Sequence, residues 1–105
     1  MSLEHRWSPR KRVCLHAVVF YRPLGLAQAV IQNIGLEGAF ISGETLNLPL
    51  QSLVELTFAL TIAGKQTIYQ MEAMAIHRAR DGYGLMFKDF KLEAFQALRE
   101  MLYAA

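Results

Sequence analysis

The chain has one cysteine, little net charge and no long apolar run, and these shortages exclude several function classes. With Cys14 alone there is no internal disulfide framework and no cysteine-rich zinc site, so a reducing, cytoplasmic compartment fits best. No segment approaches the ~18 apolar residues of a spanning helix, so membrane insertion is not expected. Eleven Lys and Arg against nine Asp and Glu leave +2. That is too little for a uniformly basic surface gripping long duplex nucleic acid, where counterion release needs many phosphate contacts. What is present is a 53% apolar fraction on 105 residues. It excludes a disordered tail and supplies one core for a single domain, with roughly two-thirds of the unfolded surface buried on folding.

The charge is unevenly placed. Residues 1–12 carry Arg6, Arg10, Lys11 and Arg12 against Glu4, a surplus of three, whereas residues 13–105 hold seven bases against eight acids. The whole surplus therefore lies at one end, where a small anionic ligand remains possible. The basic start, the run Val13 to Tyr21 and Ala27-Gln28-Ala29 together imitate a secretory signal. Against that reading, His16 interrupts the run, Arg22 and Pro23 follow it, and cleavage would remove what reads as a first strand.

Residues 1–12 read as a flexible arm and 13–105 as one domain. Val13 to Tyr21 alternates as a strand, with Val13, Leu15, Ala17, Val19 and Tyr21 on one face. Arg22-Pro23-Leu24-Gly25 is a turn, and Leu26 to Gln32 is a second strand. Asn33 to Gly38 interrupts the alternation, and Ala39 to Ile41 resumes it. Leu53 to Ile62 alternates most cleanly, with Val54, Leu56, Phe58, Leu60 and Ile62 inward. Gln66 to Arg78 is long enough to require a bend or bulge, and Tyr83 to Lys88 completes six strands. Leu92, Phe95, Leu98 and Leu102 then form one stripe of a helix over about 90–103, with Asp89 as its expected N-cap. The pattern predicts an all-β, six-stranded antiparallel barrel with a C-terminal helix.

Catalysis is hard to build from this inventory. Cys14 sits mid-strand, where a small buried hydrophobe is the expected role. His5, His16 and His77 share no metal-ligand spacing, and no GxSxG, Walker-type loop or GxGxxG occurs. The chain reads as a binder with no catalytic residue, metal or cofactor. In Arg6-Trp7-Ser8-Pro9-Arg10 two guanidiniums sit on a chain that Pro9 stiffens. Each fork suits a phosphate or the face of a purine, or else the segment is a solvated basic tail. Asn33, Gly35 and Gly38 form a turn expected to need unusual φ and close backbone approach, with an amide able to bond a base edge. The alternative is a plain loop.

In this order the two segments resemble the PilZ domain family, whose mark is RxxxR before a first strand and [D/N]xSxxG after the second. Arg6 and Arg10 match the arginines, and Asn33 and Gly38 match the ends of the second motif. Gly82-Tyr83-Gly84-Leu85-Met86-Phe87 and the helix after it resemble the family's closing elements, so nearly the whole chain is covered. The resemblance implies a bacterial, stand-alone receptor whose ligand is cyclic di-GMP. Arg6 and Arg10 would hold phosphates and guanines, with Asn33, Gly35 and Gly38 opposite. Lys11 and Arg12 either touch ligand or raise the local field.

Gly35 stands where the motif has serine. The missing hydroxyl bond is worth ~0.5–1.5 kcal/mol, or ~1.5–3 to a charged partner. Two readings follow: a receptor that passes the ligand signal to an unidentified protein effector, or a PilZ-like protein–protein interaction module with weak or no nucleotide binding. A general single-strand nucleic-acid binder ranks below both, because such sites need a basic groove with several stacking aromatics.

Overall fold

The computed structural model describes residues 10–89 and 91–103. Alternation of side chains sorts each strand into an inner and an outer set. In β1 (Arg10–Tyr21) Ala17 and Val19 are buried while Cys14, His16, Val18 and Phe20 are exposed. Five further strands follow: β2 (Gly25–Gly35), β3 (Gly38–Ser42), β4 (Leu53–Ile62), β5 (Lys65–Ala79) and β6 (Gly82–Asp89), and then helix α1 (Leu92–Tyr103). They close into a barrel in the order β1-β2-β3-β6-β5-β4, every pairing antiparallel, with β4 returning to β1 through pairs such as Phe58 opposite Ala17. The expected fold class is therefore present. Ile31, Ile34, Ile41, Leu56, Met71 and Leu85 fill the interior. Each such burial contributes roughly 1.5–3 kcal/mol.

Two elements outside the strands join the core. The segment between β3 and β4 folds inward on Leu48, which is 1% exposed. Tyr83 anchors it: the Leu48 N–H donates to the Tyr83 hydroxyl at 3.3 Å, and that hydroxyl donates to the Leu46 carbonyl at 3.4 Å. Helix α1 packs against β4. Its buried residues are Ala94, Ala97 and Leu98, with Met101 partly buried. The expected stripe is thus rotated about Leu98, and Leu92 is 68% exposed. Alanines let the helix lie close to the barrel, which turns the bulkier Leu92 outward. The expected cap is also displaced. Asp89 ends β6, and the first helical bond runs from the Phe95 N–H to the Lys91 carbonyl at 3.0 Å, so Lys91 occupies the cap position.

Three other elements differ from expectation or refine it. Residues 10–12, expected in the arm, are strand, paired with residues 33–35 of β2. β2 continues through the expected interruption to Gly35, leaving only Leu36 and Glu37 as a turn. The irregularity expected in the fifth strand is present as two register shifts against β6, between Glu72 and Ala73 and between Ala75 and His77. Residues 65–74 of β5 pair with β4 and residues 72–79 with β6, so 72–74 are flanked on both sides.

The tightest backbone approach lies at Gly38. A Cβ there would overlap the carbonyl oxygen of Leu85. Unusual φ is not what the glycine supplies, since the positive-φ glycines are Gly25 and Gly64. Gly38→Ala is therefore expected to cost about 3 kcal/mol, the upper end of overpacking, and to lower the melting temperature by more than ~10 °C. Gly64→Asn, in open space at φ 80°, should stay within about 1 kcal/mol. Thermal unfolding by circular dichroism compares the two, and an unchanged melting temperature for Gly38→Ala would refute this view of β3.

Candidate functional site

Antiparallel pairing of β1 with β2 sets the ends of the two motifs opposite each other. Arg10 faces Gly35, Lys11 faces Ile34 and Arg12 faces Asn33. A residue opposite Gly35 has Asn33 as its diagonal neighbour, within reach of a long side chain. Arg10 makes that reach: its Nη1 donates to Asn33 Oδ1 at 2.7 Å. The bond is short, as expected for a charged donor.

Asn33 faces outward because of a bulge. Between Ile31 and Asn33 the register of β2 shifts against β3, so Ile31 and Ile34 both point inward with two outer residues between them. Bulges re-aim side chains in this way. The other of the two, Gln32, donates from Nε2 to Ser42 Oγ at 2.8 Å. β1 carries a matching irregularity between Arg12 and Leu15. Beyond Asn33, the two-residue turn brings Gly35 back to Gly38, both buried. The Phe87 N–H donates to the Glu37 carbonyl at 2.8 Å and ties this turn to β6.

Arg10, Asn33, Gly35 and Gly38 are thus neighbours at one end of β1, β2 and β3. Arg6, the first arginine of the motif, lies outside the described residues, as do residues 1–9 as a whole. Lys11 takes a different direction. Its Nζ donates to the Met101 carbonyl at 3.4 Å, supplying a cation to the last turn of α1, which has no basic residue of its own. Arg12 is exposed opposite Asn33.

The expected burial of Cys14 is corrected: the residue is exposed. It lies in the β1 irregularity, on the outer side with His16. His16 and His77 are exposed and His5 lies outside the described residues. Among the described residues no three of His, Cys, Asp and Glu come together to hold a metal ion, and no helix is long and apolar enough to cross a membrane. A groove of about 910 Å³ lies away from Arg10, between the first half of β2 and the β5–β6 turn. No sequence motif marks it.

Neither a protein-family model nor a curated protein matches the sequence. Solved structures do match its fold. MotI/DgrA of Bacillus subtilis, an inhibitor of motility, superimposes with a TM-score of 0.79 at 14% identity, over 98% of this chain and 55% of that one. This chain therefore spans about half the length of that relative. The PilZ domain of CeSA from a cellulose-synthesizing bacterium gives a TM-score of 0.67 at 15% identity, over 91% of this chain and 96% of that domain. With six strands closing in one antiparallel barrel and a helix at the C-terminal end, the chain has the fold of a PilZ domain.

Proposed function

We propose that the chain is a PilZ-family receptor for cyclic di-GMP that acts by binding and passes the signal to a protein effector in the bacterial cytoplasm. One observation carries this reading: the 2.7 Å bond from Arg10 to Asn33, which joins the two motif segments on a PilZ fold. Phosphates and purines are what guanidinium groups engage, by paired hydrogen bonds and by stacking. Arg6 and Arg10 take these roles, and Arg12 adds positive field. Asn33 offers an amide to a base edge, with Gly35 and Gly38 beside it at the β2–β3 turn. Lys11 holds α1 and stays out of the site, in keeping with its bond to Met101.

The second reading, an interaction module with weak or no nucleotide binding, draws on Gly35 and on the helix. Gly35 supplies no hydroxyl directly opposite Arg10. α1 exposes Leu92 and Tyr103, the latter at 56%, as apolar surface for a partner.

Calorimetry of the full chain with cyclic di-GMP separates the two. The receptor reading expects saturable heat at protein concentrations near ~100 μM, in the range where micromolar affinity is measurable. Arg10→Ala should weaken binding ~10–100-fold, the loss of hydrogen bonds to charged groups. Gly35→Ser should tighten it ~2–10-fold by restoring one neutral bond. Absence of heat for both the parent chain and Gly35→Ser would overturn the receptor reading in favour of the module.

A further inference from the structure

The bulge that turns Asn33 outward also fixes what stands beside it. Antiparallel pairing sets Arg12, Asn33, Phe40, Gly84 and His77 opposite one another in turn, as one row across β1, β2, β3, β6 and β5. Directly opposite residues bring their Cβ atoms ~4.5–5.5 Å apart, so Phe40 is the next neighbour of Asn33. Ala39 and Ile41 on either side of it are both 0% exposed, and strand alternation therefore turns Phe40 outward. Phe40 is half-buried. Among the described residues it belongs neither to the buried core nor to the side chains packed on that core. Bare backbone covers part of it instead. A Cβ on Gly82 would lie 2.7 and 2.8 Å from Cε2 and Cζ of the Phe40 ring, so the ring fills the space that a side chain at 82 would need. Gly84, directly opposite Phe40, has no side chain to lay over the ring either.

We propose that Phe40 is a base-stacking residue of the nucleotide site, an inference that rests on the receptor reading. Arg10 and Phe40 flank one amide. Arg10 bonds Asn33 at 2.7 Å from the β1 side, and Phe40 adjoins Asn33 from the β3 side. A purine nucleotide has parts to match all three. Its phosphate suits the guanidinium, the edge of its purine suits the amide, and the face of that purine suits the ring. Arg12, exposed and opposite Asn33, adds a second cation on the same face. Every base has a π-face, so stacking on Phe40 supplies affinity and leaves the reading of the base edge to Asn33.

The magnitudes bear on Gly35, where the motif has serine. One neutral hydrogen bond to a hydroxyl is worth ~2–10-fold in affinity, whereas one base stacked on an aromatic ring is worth ~5–100-fold. A stack on Phe40 therefore offsets the missing hydroxyl. The sequence pattern does not announce this role, because Phe40 reads as one more apolar residue of a short strand. Only the pairing of β3 with β2 and β6 places it between an amide and two glycines.

The test is calorimetry of the full chain with cyclic di-GMP, comparing the parent with Arg10→Ala, Phe40→Leu and Phe40→Tyr. A nuclear Overhauser experiment on the saturated parent complex accompanies it and reads contacts between guanine H8 and the Phe40 ring protons. Phe40→Leu should weaken binding ~5–100-fold, Phe40→Tyr should stay within ~3-fold of the parent, and the guanine–Phe40 contact should be present. A ring with a merely structural role gives no such contact. Should Phe40→Leu fail to fold, the contact in the parent complex decides alone. The inference is overturned, with the receptor reading left standing, if Phe40→Leu binds as the parent does while Arg10→Ala is weakened. A saturated parent complex without the guanine–Phe40 contact overturns it in the same way. No saturable heat for the parent overturns the receptor reading itself, and this inference with it.

Discussion

The close passage of two backbones at Gly38 and Leu85 is the constraint on which the molecule depends. β3 has only five residues, yet it must join β2 to β6 for the barrel to close. It does so by lying so near β6 that no side chain fits at Gly38. From that closure follow the two-residue turn at Leu36 and Glu37, the extension of β2 to Gly35, and the placement of Arg10 beside Gly35. β3 pairs with β2 only from Val30 onward, and the chain leaving β3 at Gly43 then lies against the Gln28 carbonyl. One short strand thereby shapes both ends of β2: an arginine-bearing end at Gly35 and an end that lines the groove beside the β5–β6 turn.

At the closed end, two neighbouring cations diverge. Arg10 bonds Asn33, while Lys11 turns to the Met101 carbonyl at the end of α1. Adjacent residues of a strand point to opposite sides, so this split is built into β1. The start of β1 thus touches both the motif residue Asn33 and the last turn of the helix. The helix is held on one side by alanines and Leu98, a modest apolar contact for a 12-residue element.

Much of the fold was legible in the residues. β4 was read with its observed bounds because Val54 to Ile62 alternates without a break. The hairpin at Asp81-Gly82 and the irregular β5 followed from turn chemistry and strand length. What failed did so where a bulge or a small residue changes the phase. Ile31 and Ile34 are three apart and both inward, which looks like the end of a strand when only period 2 is sought. Cys14 was expected inside, but it sits at an irregularity opposite that bulge. On α1, alanines carry the contact that the larger side chains advertised. The charges of residues 10–12 imitated an arm although they pair as strand. Of the candidate site, Arg10 and Asn33 were legible as members of two motif segments that the fold brings together, whereas the groove beside β2 was not. It arises from a difference in strand lengths that no single segment displays.

The receptor reading is tested most directly by a nuclear magnetic resonance titration of the isotope-labelled full chain with cyclic di-GMP. It predicts that the side-chain amide of Asn33, the guanidinium of Arg10 and the backbone amides of Gly35 and Gly38 shift together and saturate together. Those four signals standing still at millimolar nucleotide, or saturable shifts confined to other parts of the barrel, would contradict it.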